Sequence, residues 1–193
     1  MRLLTFLGTG NYDEIPYRLH GQECRTLLCP IAIARITGAT EIVAFVTDQA
    51  REKWFNELEQ QAAAFDATCR PVSIGLPADE AGMWDLFRSV HSELTGPSVA
   101  LDVTHAFRAI PFVAMAVAGF ARATNSNAVE AIYYGAYEAK GPDGVVPIIE
   151  LTSLVSVLDW TAAVGAFQRY GDASMISELT SRNFRQLAEA GMK

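Results

Sequence analysis

The feature that most constrains this chain is an alternation. Short apolar runs bounded by Gly, Pro or Asp, at 2–7, 41–47, 70–74, 98–101 and 128–137, take turns with stretches whose apolar residues recur at helical spacing. A chain written this way places each new strand parallel to an earlier one and covers the sheet with the helices between them. The expected fold is therefore α/β, a Rossmann-like, doubly wound and mainly parallel sheet. After 128–137, the turn Gly141-Pro142-Asp143-Gly144 leads straight into a further run at 145–150, which makes the last pair antiparallel.

The helices are placed by their punctuation. Pro30 suits a first turn and Gly38 an end, giving a helix over 30–37. Asp48 is placed to cap an amphipathic helix running to about Phe65, with Trp54, Phe55, Leu58 and Ala62 on one face. Asp79 or Glu80 opens a helix ending near Leu94, and the Ala- and Met-rich run 112–120 reads as a buried helix. Before the first of these, 17–19 and 22–24 flank His20-Gly21 as a small hairpin. From Leu154 the alternation stops, and helical stretches at 154–169 and 173–190 follow with no strand between them.

Chemistry concentrates in one stretch. At 101–111 an acid (Asp102), a hydroxyl (Thr104), an imidazole (His105) and a guanidinium (Arg108) fall at the carboxyl end of the run 98–101. That edge is where open α/β sheets bind ligands. The loop after the first strand, Gly8-Thr9-Gly10-Asn11-Tyr12, has glycines that let the backbone come close to something. It is not the dinucleotide fingerprint, which needs a third glycine and opens directly onto a helix, whereas Asp13-Glu14-Ile15-Pro16 intervenes here. An NAD- or S-adenosylmethionine-dependent enzyme is disfavoured accordingly.

Charge and side-chain inventory exclude other classes. A net charge of -7 argues against wrapping a long nucleic acid, which needs a broad basic surface, yet leaves room for a small anion held locally. Cys24, Cys29 and Cys69 show no CxxC spacing and read as reduced thiols, and His20, His91 and His105 show no ligand spacing. No metal and no cofactor is expected. Apolar runs are too short for a membrane span and no leader opens the chain, so a soluble cytoplasmic protein is the expectation. Taken singly, Asp102 reads equally as a catalytic acid or a cap of the turn that follows it, and Arg108 as a phosphate contact or a partner of Asp102. Among Tyr133, Tyr134 and Tyr137 at least one must face the core, leaving another free to stack on a base. Arg18 and His20 could approach a ligand from the hairpin.

Five segments in order, 6–12, 47–50, 101–108, 133–139 and Leu158-Asp159-Trp160, resemble the CRISPR-associated proteins named for a DxTHG motif, which carry a CARF domain (CRISPR-associated Rossmann fold). The likeness covers essentially the whole chain. It implies a sensor domain over 1–151, followed by a helical linker or the start of an effector over 152–193. It further implies a homodimer that binds cyclic oligoadenylate, with cyclic tetra-adenylate preferred over the hexamer, in type III CRISPR antiviral defence. The ligand would be held by Gly8, Thr9, Gly10, Asn11 and Tyr12 of one loop and by Asp102, Thr104, His105, Ala106, Phe107 and Arg108 around the other. The alternative is a metal-independent ring nuclease that cleaves the same ligand, with Thr9, Thr104 and His105 in catalytic roles and Arg108 beside them. Ala106 stands where the motif has glycine, and a positive φ there would cost about 1 kcal/mol or more. Full-length relatives commonly continue into a HEPN ribonuclease, whose signature is an Arg and a His separated by four residues. No arginine here has a histidine five positions later: Arg18 meets Glu23, Arg88 meets Glu93 and Arg108 meets Val113. The helices from Leu154 are thus expected to lead toward an effector that the chain lacks.

Overall fold

A computed structural model describes residues 1–94, 98–124 and 129–181. Contacts divide the chain into two units, Met1–Thr152 and Ser153–Lys193. The first unit holds an eight-stranded sheet. Its strands are β1 (Arg2–Leu7), β2 (Ile15–Leu19), β3 (Gln22–Thr26), β4 (Glu41–Val46), β5 (Thr68–Ser73), β6 (Val99–Asp102), β7 (Val129–Gly135) and β8 (Val146–Glu150), in the spatial order β3-β2-β8-β7-β6-β1-β4-β5. β7, β6, β1, β4 and β5 run parallel, and β8 is antiparallel to β7 as the 141–144 turn required. The chain winds from β1 outward through β4 to β5, then returns to place β6 and β7 on the other side of β1. The winding direction therefore reverses between β1 and β6, and the carboxyl ends of those strands flank a crevice.

Side chains alternate across the central strands with a period of two. On β1 and β4, Leu3, Leu7, Ile42, Ala44 and Val46 are buried together with helices α1 (Cys29–Thr37) and α3 (Asn56–Ala63). Phe6 and Phe45 point the other way and stack at 4.9 Å. α1 packs on α3, and α4 (Glu80–Ser92) packs on α5 (Ile110–Ala123), the two helical layers of a doubly wound sheet. Full burial of hydrophobic side chains of this size is worth about 1.5–3 kcal/mol each and is the main source of stability.

Local chemistry explains most element ends. Pro30 lies in the first turn of α1 and Gly38 closes it at φ 71°. Asp79 caps α4, accepting from Gly82 N–H at 2.8 Å. The β2–β3 hairpin turns on His20 (φ 50°) and Gly21 (φ 78°), the pair of positive φ angles that a two-residue turn between twisted strands demands. The hairpin joins the sheet through β2, which runs parallel to β8.

Two expectations are corrected around residue 50. The helix cap is Thr47, whose hydroxyl accepts from Ala50 N–H at 3.3 Å, and Asp48 is the first helical residue. The helix beyond it is not continuous: α2 (Asp48–Ala50) passes through a π-helical turn, Arg51–Phe55, into α3. Phe55, Leu58 and Ala62 are buried as expected, but Trp54 is only half-buried at the core's margin and serves the loop after β1.

The second unit contains most of α6 (Thr152–Tyr170), stopped by Gly171 at φ 69°, and a further helix over 174–181, at whose start Asp172 accepts from Ser174 N–H. The rest of the helix expected over 173–190 lies outside the described residues. Among the described residues no helix is long and apolar enough to cross a membrane.

Candidate functional site

The site grows from one buried acid. Asp102 ends β6 with no exposed surface, directly beside Thr5 of β1. Facing side chains on neighbouring parallel strands meet, and the Thr5 hydroxyl donates to Asp102 Oδ2 at 2.7 Å. The other carboxylate oxygen accepts from the Thr104 backbone N–H at 3.0 Å and from the Thr104 hydroxyl at 2.5 Å. Burial pushes the Asp102 carboxyl above its ordinary range, and these three donors oppose that shift. Of the two readings of Asp102, geometry selects the cap: it builds the turn after β6 and has no opening to a ligand. Arg108 is exposed and does not pair with it.

From that anchor the turn reaches its neighbours. The Thr104 hydroxyl accepts from Gly135 N–H of β7 at 2.8 Å, and Cys29 Sγ lies 3.4 Å from the same oxygen. Gly135 is glycine for room, since a Cβ would stand 2.7 Å from that sulfur. His105 Nε2 accepts from Cys29 N–H at 3.3 Å, so the imidazole caps the start of α1 and carries its own proton on Nδ1. Burial lowers the His105 pKa to about 4, which keeps the ring neutral and able to accept. Burial likewise raises the Cys29 thiol well above its usual range, consistent with an inert role.

The loop after β1 lies against this turn. A Cβ on Gly8 would sit 2.9 Å from the His105 carbonyl oxygen and 3.1 Å from the Tyr12 hydroxyl. Gly8 is thus needed for close approach, its partner is protein rather than ligand, and it is buried, with its backbone hydrogen-bonded to Tyr12. Gly10 has only the Tyr12 ring near, at 3.5 Å. Tyr12 stacks on His105 at 4.1 Å and on Trp54 at 4.7 Å, and burial pushes its hydroxyl up to about 12.

The outer part of the loop is held from the π-helical turn. Trp54 Nε1 donates to Gly10 O at 2.9 Å, while Lys53 Nζ donates to Thr9 O at 2.9 Å and to Asn11 Oδ1 at 2.7 Å. Consecutive residues on an α-helix point about 100° apart. The wider π turn brings two neighbours closer in direction, and such turns recur at functional sites. Sequence reasoning passed over Lys53 and Trp54. The signal was there in the adjacent Trp54-Phe55, two large aromatics that one amphipathic stripe cannot both serve.

These elements enclose a cleft of about 350 Å³ at the carboxyl ends of β1, β6 and β7. Asn11, Tyr12, Thr104 and His105 line it, as do Tyr17, Tyr134, Tyr137, Asp13 and Glu138. Of the remaining expected site residues, Thr9 and Gly10 are exposed, Ala106 and Phe107 half-buried, and Arg108 exposed next to α5. Ala106 has no positive φ, so alanine in the glycine position of the motif is unstrained. Tyr133 is the tyrosine that faces the core; Tyr134 donates to Glu138 at 2.6 Å, and Tyr137 is 54% exposed. Arg18 pairs with Glu23 and Asp143, His20 lies 3.4 Å from Glu150, and neither lines the cleft. All three cysteines are free thiols, and among the described residues no group of three His, Cys, Asp or Glu side chains could hold a metal.

No protein-family model matches the chain. Over 142 residues, taking in 72% of this chain, it is 28% identical to CRISPR-associated protein MJ1674 of Methanocaldococcus jannaschii. The chain is similar to a CRISPR-associated protein. This likeness supports a part in CRISPR defence, and it extends over 22% of the relative's length.

Proposed function

We propose that the chain is a CARF domain that binds cyclic oligoadenylate, cyclic tetra-adenylate foremost, as a homodimeric sensor in type III CRISPR defence. The observation that carries this reading is the meeting of two loops nearly the length of a domain apart in sequence. Gly8 to Tyr12 and Thr104 to Arg108 are the segments on which the DxTHG resemblance rests, and they lie against each other beside one cleft at the switch point of the sheet. A relative named as CRISPR-associated supports the same setting. A ligand with cyclic symmetry is met most simply by identical loops from two subunits around one axis, which is why the sensor is proposed as a dimer.

Binding is favoured over cleavage by what the candidate catalytic groups are doing. The Thr104 hydroxyl is committed to Asp102 and Gly135, and His105 Nε2 to Cys29, so neither has a free atom in place to take a proton from a ribose hydroxyl. Calorimetric titration with cyclic tri-, tetra- and hexa-adenylate, followed by chromatography of the recovered ligand, tests the reading. The expected result is saturable binding of the tetramer with the ligand recovered intact. Binding of none of the three would overturn it. Arg108→Ala is expected to weaken binding by about 1.5–3 kcal/mol, the worth of a charge-assisted hydrogen bond to phosphate, and unchanged affinity would remove Arg108 from the site.

A further inference from the structure

The cleft's size and charge specify which part of such a ligand enters it. At about 350 Å³ it lies at the small end of ligand sites, roughly 300–1,000 Å³, and takes one ring system rather than a whole cyclic tetranucleotide. Among the described residues its lining holds two carboxylates, Asp13 and Glu138, several aromatic rings, and no lysine or arginine. A phosphate placed there would face like charge without compensation. Cations stand one step outside. Lys53 is bound to Asn11 on the β1 side, and Lys140 lies over the Tyr137 ring at 5.7 Å on the β7 side. Glu138 is not a loose surface acid: the Tyr134 hydroxyl holds it at 2.6 Å, and a carboxylate so held keeps lone pairs for a further donor.

We infer that the cleft takes the purine ring of the ligand, with Glu138 selecting a ring that bears an exocyclic amino group, and that Lys53 and Lys140 receive the flanking phosphates at the rim. The inference rests on the cyclic oligoadenylate reading and adds the orientation and the base-reading residue. An adenine amino group offers two N–H donors to a carboxylate acceptor, and a ring without that group leaves the held carboxylate facing nothing that can donate. Sites built to hydrogen-bond a group reject analogues lacking it far more strongly than apolar pockets reject a missing methylene.

The test is a two-by-two titration. Wild type and Glu138→Leu are each titrated with cyclic tetra-adenylate and with the cyclic tetranucleotide whose purines lack the 6-amino group. Glu138 is exposed, so the variant is expected to fold. Wild type is expected to bind the amino-bearing ring about tenfold or more tightly, as for a hydrogen bond to a charged group, and the variant to bind both rings equally. Equal binding of both rings by wild type, or the same discrimination in both proteins, overturns the inference while leaving the sensor reading intact. No binding of cyclic tetra-adenylate by wild type removes the sensor reading and this inference with it. Lys140→Met should lower the slope of log affinity against log salt by about 0.7 for both ligands, the share of one phosphate contact on a single strand, and an unchanged slope overturns the lysine assignment.

Discussion

The two loops that meet at the cleft are built in opposite ways. The turn after β6 is fixed from within: Asp102 is fully buried and takes three hydrogen bonds, Thr104 bridges to β7, and His105 caps α1. The loop after β1 is fixed from without, since Thr9, Gly10 and Asn11 are exposed and their polar atoms are met by Lys53 and Trp54 at the protein surface. Buried hydrogen bonds in a low dielectric are costly to break, whereas exposed ones exchange readily with water. One loop is therefore a rigid floor and the other an adaptable wall. A site divided this way can keep its register on the sheet while the wall adjusts to a ligand.

Removing the floor's anchor should do the most damage. Asp102→Ala strands the Thr5 hydroxyl and two Thr104 donors in a site without water, and a destabilisation of about 3 kcal/mol or more is expected. Asp102→Asn keeps an acceptor on one side and should cost less than half as much. Urea midpoints of the two variants check both figures. A loss under 1 kcal/mol for the alanine variant would mean that the floor does not depend on this acid.

His105 makes the floor sensitive to acid. Its folded pKa of about 4 lies below its ordinary 6.5, so between those values the unfolded chain binds a proton that the folded chain refuses. Stability from this group is fully present above pH 6.5 and is lost as pH falls toward 4, by about 2–3 kcal/mol between pH 7 and pH 4.5. His105→Gln offers Cys29 N–H a non-titrating oxygen. Subtracting the pH dependence of that variant from wild type should leave this loss, and a flat difference would show that His105 titrates normally.

The glycines separate floor from wall at a smaller scale. Gly8→Ala drives a Cβ into the His105 carbonyl, a backbone atom that cannot swing aside, and is expected to cost about 1–3 kcal/mol. Gly10→Ala meets only the Tyr12 ring at ordinary contact distance and should fall within about 0.5 kcal/mol of wild type. Similar thermal shifts in both would erase the distinction between the two loops.

What the sequence made legible follows the same division. Strand runs, the parallel order and the reversal of winding come from apolar periodicity and from Pro30, Gly38, Asp79 and Gly141-Pro142-Asp143-Gly144, features written locally. The chemistry-bearing stretch was legible too, because an Asp ending an apolar run stands out. The use of each residue was not. That Gly8 packs on the His105 carbonyl, that His105 serves the start of α1 through Cys29, and that Lys53 and Trp54 serve the β1 loop all depend on contacts between residues 40 or more positions apart. Glu138 and its neighbours reach the cleft only because β7 lies beside β6. Periodicity reports which face a residue is on, not what that face meets, and a π-helical turn hides even the face.

The smallest effect on stability should come from the wall, and there binding is the sharper readout. Trp54→Phe keeps a ring against Tyr12 and removes only the indole N–H from Gly10 O, an exposed hydrogen bond worth about 0.5–1 kcal/mol at most. If the wall is adaptable, losing that donor loosens the loop before the ligand arrives, and the ordering cost is then met on binding. Trp54→Phe should therefore melt within a few degrees of wild type yet bind cyclic tetra-adenylate several-fold more weakly, with a more unfavourable binding entropy. A stability loss as large as that of Asp102→Asn would place Trp54 in the floor, and unchanged affinity and entropy would mean that the loop is ordered without it.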